Sequence, residues 1–258
     1  MSQILLQCSY KGTRYGGFQV QPNAPTVQQA LQDALEALFG ARPPVTGCSR
    51  TDAGVHAQNY YCTTLLDRDF ALDRLPQAIN AHLPDDIAVR RAAAVAPDFH
   101  PRYMALGKRY VYRIWLHSAR NVFWADTSHH VRGRLDPALF AALAGCFVGR
   151  RDFSSLQAAG SEVADTVRTI HRCEATLEDD MLTLSITGDG FLYKMVRILA
   201  GTLIEAASKG RGAGDIEALL AACNRRAAGP TAPARGLTLM QVYYPPGSTG
   251  IAEAEVDP

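Results

Sequence analysis

Polar and apolar positions alternate from Ile4 to Tyr10, the period of a first strand. Beyond a glycine-rich stretch, Val27, Ala30, Leu31, Ala34, Leu35 and Leu38 recur at helical spacing. Thr26 stands at the start of that stripe with Gln29 three residues on, the spacing of a capping box, and Gly40 is a fitting stop. Pro43-Pro44 forbids further helix. Strands are predicted over Val45 to Arg50 and Gln58 to Leu66, flanking a polar loop. Leu72, Leu75, Ile79 and Leu83 suit a second helix, broken or started around Pro76, and Ile87 to Val95 a strand.

A proline-punctuated crossing, 97–104, leads to strict alternation in Lys108 to Trp115. One face of that strand carries Lys108, Tyr110, Tyr112 and Ile114, the other Arg109, Val111, Arg113 and Trp115. Leu135 to Phe147 is helical in pattern, with Asp136 and Pro137 suited to its start. Arg168 to Glu178 and Met181 to Thr187 read as strands turning at Asp179-Asp180. Phe191 to Ser208 is a strongly apolar helix, Asp215 to Cys223 a short one, and Leu237 to Tyr244 a last strand. The first hundred residues run β-α-β-β-α-β, and the second half looks alike in order without a sequence repeat. This predicts an α+β chain of two ferredoxin-like, RNA-recognition-type halves, 1–104 and 105–245, in one mixed, mainly antiparallel sheet with helices on one side. A frayed tail, 246–258, follows.

Composition narrows the class. Hydrophobic residues make up 47% and charged residues 20% of 258 residues, which suits a globular chain. The formal net charge of +1 argues against a histone-like binder, yet leaves room for a local basic groove. Six cysteines lie at 8, 48, 62, 146, 173 and 223 without a CxxC spacing, so reduced thiols in a cytoplasm are expected, most of them small buried hydrophobes. No apolar run approaches a membrane span.

The densest chemistry is the loop Gly47-Cys48-Ser49-Arg50-Thr51-Asp52-Ala53-Gly54-Val55-His56. By residue type alone Asp52 is most often a turn cap. Arg50 beside it would hold it ionised, which suits a nucleophile. Cys48, His56 and Cys62 match no usual zinc spacing, and His129-His130 on a strand would point apart, so no metal is expected. The glycines of Tyr10 to Pro22 suit either a close backbone approach to a ligand or a surface turn. Arg102, Tyr103 and Lys108 to Arg113 interleave cations and aromatics, the pattern that contacts phosphates and stacks on unpaired bases, though an amphipathic strand with a solvated basic face looks the same. Lys194 and Arg197, three apart, would share one face of an apolar helix, as counter-charges for Asp52 or as snorkelling cations. Gly210 to Gly214 follows a helix and reads as a linker.

Ser49 to Ala57 resembles the signature of the tRNA pseudouridine synthase A family. Tyr10 to Pro22, Phe99 to Arg102, Arg109 to Tyr112, Asp152 to Ser155, Val167 to Ile170, Phe191 to Arg197, Thr231 to Pro233 and Gly236-Leu237 resemble further family motifs in the same order, from residue 3 to about 244. Lys11 stands where an aspartate is usual, and Tyr15 and Phe18 where Phe and Trp are. The resemblance implies the pseudouridine synthase fold and isomerisation of uridine at positions 38, 39 and 40 of the tRNA anticodon stem-loop. It implies no cofactor and no metal, and a homodimer holding tRNA across a shared basic cleft. The family's essential aspartate falls on Asp52 and the tyrosine that stacks on the flipped base on Tyr110. The arginine that holds the flipped nucleotide falls on Arg50, and the basic partner of the aspartate on Arg197. His56 is then a buttress for the loop. Attack of Asp52 on C6, attack on C1′ and a glycal route remain open. A non-catalytic RNA-binding factor and a metal-dependent hydrolase using Asp52 and His56 are the competing functions.

Overall fold

The computed structural model describes residues 2–67, 70–161 and 163–251. Among the described residues there are ten strands and five α-helices, with short 3₁₀ turns between them. The chain divides into two compact units, Met1–Gly107 with Leu239–Pro258, and Lys108–Thr238. Chain order alone puts Leu239 to Tyr243 with the second half; its contacts group it with the first.

In the first unit, β1 (Ser2–Tyr10) lies between β3 (His56–Leu66) and β4 (Ile87–Ala94), antiparallel to both, and β2 (Val45–Gly47) pairs antiparallel with β3. The order β4-β1-β3-β2 is that of the split βαβ unit predicted from the pattern. Helix α1 (Val27–Phe39) opens on Thr26, whose hydroxyl accepts from Gln29 N–H at 3.3 Å, and closes on Gly40 in the left-handed region, φ +72°. It buries Val27, Leu31, Ala34 and Leu35 and packs beside α2 (Leu75–Asn80), which carries Pro76 in its first turn. The middle of β1, Ile4 to Cys8, is buried without alternation. Its second face is therefore covered too. Phe99 and Tyr61 both contact the buried Tyr244 ring at centroid distances of 5.4 Å, and Tyr244 donates to Pro101 O at 2.6 Å. Of the expected tail, Thr249 and Ile251 are buried, and 252–258 lie outside the described residues.

In the second unit, β5 (Gly107–Trp115) pairs with β9 (Met181–Gly188), β9 with β8 (Val167–Glu178), and β8 with β7 (Gly149–Asp152), all antiparallel. A two-residue strand, β6 (His129–His130), runs parallel to β5 and makes the sheet mixed. Neither β6 nor β7 shows in the pattern: two and four residues are too short to display a period. Helix α3 (Pro137–Ala144) is capped by Asp136, whose carboxylate accepts from Ala138 and Leu139 N–H. It packs on α4 (Met195–Lys209). The Gly210 to Gly214 stretch ends α4, with Gly210 at φ +67°, and starts α5 (Ala213–Ala221).

Helix α4 starts four residues later than its apolar run. Residues 189–194 turn instead, and Lys194 sits at φ +58° with its ammonium 4.8 Å from the Tyr193 ring centre. Lys194 and Arg197 therefore do not share a helix face.

His129 Nδ1 is buried with no hydrogen-bond partner among the described residues, and its ring meets Tyr112 edge-on at 6.3 Å. Burial, then the charges of Arg235 and His130, pull its pKa down from 6.5 to about 4. The folded value lies below the unfolded one, so the unfolded chain binds more protons between those values and stability falls as pH drops through that window. The unfolding temperature is expected to decline between pH 6.5 and 4, less steeply in His129→Phe, as scanning calorimetry at stepped pH would record.

Candidate active site

Asp52 lies between β2 and β3, half-buried, at the head of a turn that Val55 N–H closes by donating to the Asp52 carbonyl at 3.1 Å. Gly54 takes φ +79° within it. Arg50, two residues earlier, is exposed. The loop is tied to the sheet on its N-terminal side: Cys48 N–H donates to Tyr61 O at 2.9 Å, and the Tyr60 hydroxyl donates to Ser49 O. Tyr60 is fully buried and stacks on Phe18 at 4.3 Å; burial drives its pKa well up, so it stays a neutral donor.

On the other side the loop is held by the end of β1 and the chain that follows it. Tyr10 and Thr51 share a hydroxyl hydrogen bond of 2.9 Å. Gly54 N–H donates to Tyr15 O at 3.2 Å, and Gly12 N–H donates to Nδ1 of His56 at 3.0 Å. His56 is 3% exposed and buttresses the loop. A Cβ on Gly12 would overlap Val55 O, and one on Gly17, at φ +105°, would overlap Thr51 O. The glycines that suited a ligand's approach thus serve a backbone-on-backbone approach within the chain.

Asp86 completes the brace. It accepts from the Tyr15 hydroxyl at 2.6 Å and Arg14 Nε at 2.7 Å, and its carbonyl accepts from Lys11 N–H at 2.9 Å. Burial works to raise its pKa, but the hydrogen bonds from Arg14 and Tyr15 and the Arg14 charge hold it below the usual range. Burial and the Asp86 hydrogen bond push Tyr15 up to about 12. No sequence signal marks Asp86 out: it is a loop aspartate beside another.

Tyr110 and Arg197 lie in the second unit. Tyr110, on β5 opposite Ile186, is 7% exposed and meets Phe191 edge-on at 5.2 Å. Arg197, in the first turn of α4, donates from Nε to Ala232 O at 2.8 Å, and Ala232 N–H donates back to Arg197 O at 3.0 Å. Tyr112 donates to Pro233 O at 2.9 Å, and burial raises its pKa against the opposing charges of Arg197 and Arg235. Cβ atoms on Gly201 and Gly236 would overlap Pro230 O and the Tyr112 ring. The structure thus brings the segments of Tyr110, Phe191, Arg197 and Ala232 into one packed neighbourhood. On β5 the aromatics Tyr110 and Tyr112 are buried; on the other face Arg109 is exposed, Arg113 is half-buried and Val111 is buried. Among the described residues no group of three or more His, Cys, Asp or Glu side chains is placed to hold a metal.

The model of the tRNA pseudouridine synthase family matches residues 8–104 and 143–245, which include the aspartate loop and the Phe191 to Pro233 cluster. The chain belongs to that family. The tRNA pseudouridine synthase A of Ruminiclostridium cellulolyticum (strain H10) is 44% identical over 245 residues, 95% of this chain and 100% of that protein. The enzymes of the same name from Shouchella clausii and Geobacter sp. (strain M21) are 43% and 40% identical, covering 95% of this chain and 94% and 100% of their own. A chain of a solved Cbf5-Nop10-Gar1 complex gives a TM-score of 0.39 at 11% identity, covering 91% of this chain and 57% of that one. Membership in the tRNA pseudouridine synthase family makes the chain an isomerase that forms pseudouridine in tRNA. No helix among the described residues is long and apolar enough to cross a membrane.

Proposed function

We propose that this chain isomerises uridine to pseudouridine at positions 38, 39 and 40 of the tRNA anticodon stem-loop, with Asp52 as nucleophile. The observation that carries the reading is the rigid mounting of the Asp52 loop. Main-chain hydrogen bonds and two glycine contacts fix it from both sides while the carboxylate stays half-buried and the neighbouring Arg50 stays exposed. Reaction at C1′ of a nucleotide demands such fixation, because small displacements of a reacting group cost large factors in rate.

The net reaction breaks N1–C1′ and forms C5–C1′; the C5 proton leaves and N1 regains a proton. A paired, stacked uridine hides those atoms, so the base must leave the stack. Tyr110 is the ring on which it lies, Arg50 holds the flipped nucleotide, and Arg197 is the basic partner of Asp52. No cofactor or metal takes part. The working form is a homodimer in the cytoplasm, which pools the Arg and Lys of two copies on one tRNA.

Tritium release from tRNA labelled at uridine C5 reads the departing C5 proton directly. Release from labelled tRNA, with pseudouridine mapped to positions 38–40, is the expected result; a purified chain that releases none would refute the proposal, and unchanged activity in chelator would exclude the hydrolase reading. Tyr110→Ala is expected to lower kcat about 100-fold while tRNA Kd changes by less than about threefold, since orientation governs rate and phosphate contacts supply most of the affinity. Equal losses in both would count against stacking on Tyr110, and Tyr110→Phe should keep the platform.

A further inference from the structure

Residues 99–104, at the end of the first unit, form a fixed platform beside the Asp52 loop. Phe99 is buried, its carbonyl accepts from Gln3 Nε2, and Pro101 O accepts from Tyr244. The backbone is thus anchored from below. Above it, Nδ1 of His100 accepts from the N–H groups of Arg102 and Tyr103 at 3.1 and 3.3 Å. The His100 and Tyr103 ring centres are 4.2 Å apart with the planes tilted by 37°, and the Arg102 guanidinium lies over the Tyr103 ring, 5.9 Å from its centre. Tyr103 is nevertheless 77% exposed. An exposed aromatic ring whose backbone and ring neighbours are held by the fold is a stacking surface whose ordering cost is already partly met.

The platform is one wall of a cleft of about 220 Å³, whose other lining includes Gly47, Ser49 and Arg50. Arg50 and Arg102, both exposed, therefore line the same cleft, and Arg50 is two residues from Asp52. Two guanidinium groups and an exposed aromatic ring match a phosphodiester and an unpaired base.

We propose that this cleft binds the nucleotide adjacent to the target uridine, its base stacked on Tyr103. The phosphodiester joining it to the target lies between Arg50 and Arg102. Arg50 thereby holds the flipped nucleotide through its phosphate, and Tyr103 keeps the neighbour from following the target or closing the gap it leaves. Tyr103 and Arg102 are positioning residues. The inference rests on the proposed activity for the identity of the RNA, but not for its readout.

The test uses the full chain and two anticodon stem-loop RNAs, each with 2-aminopurine on one side of the target uridine. One of the two is expected to lose fluorescence on binding to the parent protein and to Tyr103→Phe, but not to Tyr103→Ala. In turnover, Tyr103→Ala should raise KM about tenfold or more with kcat within about twofold. An abasic nucleotide at the same position should produce the same loss in the parent and none beyond it in Tyr103→Ala. Arg102→Ala should reduce the salt dependence of binding by about one phosphate contact. Equal quenching by Tyr103→Ala and the parent, or additive losses with the abasic RNA, would overturn the proposal, as would capture of a protein partner lost in Tyr103→Ala with RNA binding intact. Quenching without pseudouridine formation would instead overturn the assigned activity and leave the cleft.

Discussion

Asp52→Asn is expected to abolish tritium release, by about 10⁴-fold or more, as removal of one member of a catalytic set does elsewhere. The substitution separates the two readings of the loop. Asparagine caps turns as well as aspartate does, and the bond that closes this turn runs from Val55 N–H to the main-chain carbonyl of residue 52, which the substitution leaves in place. A capping aspartate would therefore be replaced without loss. A nucleophile would not, because a neutral amide cannot form the covalent ester or accept a proton as a carboxylate does. Unfolding temperature should stay within about 3 °C of the parent, and tRNA affinity should persist, since phosphate contacts carry it. Substantial release by the Asn variant, with folding intact, would remove Asp52 from the chemistry.

Much of this arrangement is legible in the sequence where a residue declares its job locally. Thr26 and Gly40 bound α1 as cap and stop, Asp136 caps α3, and Pro76 lies in the first turn of α2. The β-α-β-β-α-β order fixes the β4-β1-β3-β2 pairing, because that order of elements has few unknotted solutions. What failed was whatever depends on distant partners. The apolar run from Phe191 suggested helix, but Phe191 packs on Tyr110 and the chain turns through Lys194 before α4 begins. The Gly12 and Gly17 pattern announced a close approach without saying to what. Asp86 binds Tyr15 and Arg14 across more than seventy residues, a separation that periodicity does not register. The candidate residues themselves were found by motif; the brace that holds one of them in place was visible only in three dimensions.

That brace has its own consequence, and Gly17→Ala exposes it. Gly17 stands at φ +105°, where an L side chain is strained by about 1–2 kcal/mol. Its new Cβ would also overlap Thr51 O, a backbone atom with no rotamer to change, and come within 3.3 and 3.4 Å of Asp52 C and Ala53 N. Thr51 cannot retreat freely: its carbonyl accepts from Phe18 N–H at 3.4 Å and its hydroxyl is bonded to Tyr10 at 2.9 Å. The clash must be relieved by shifting the aspartate loop itself. A displacement near 1 Å costs about 100-fold in rate, and the lost packing and strain together about 2–4 kcal/mol in stability. Gly40→Ala is the matched comparison. It too has a positive φ, +72°, but nothing lies within 4 Å of its Cβ. It should lose only about 1 kcal/mol and keep full activity. The pair separates backbone strain from displacement of the loop: kcat/KM by tritium release and unfolding by denaturant would be measured for both. Equal stability losses with full activity in Gly17→Ala would mean that the loop after β1 does not position Asp52, and that the fixation argued for the nucleophile must come from the Tyr60 side alone.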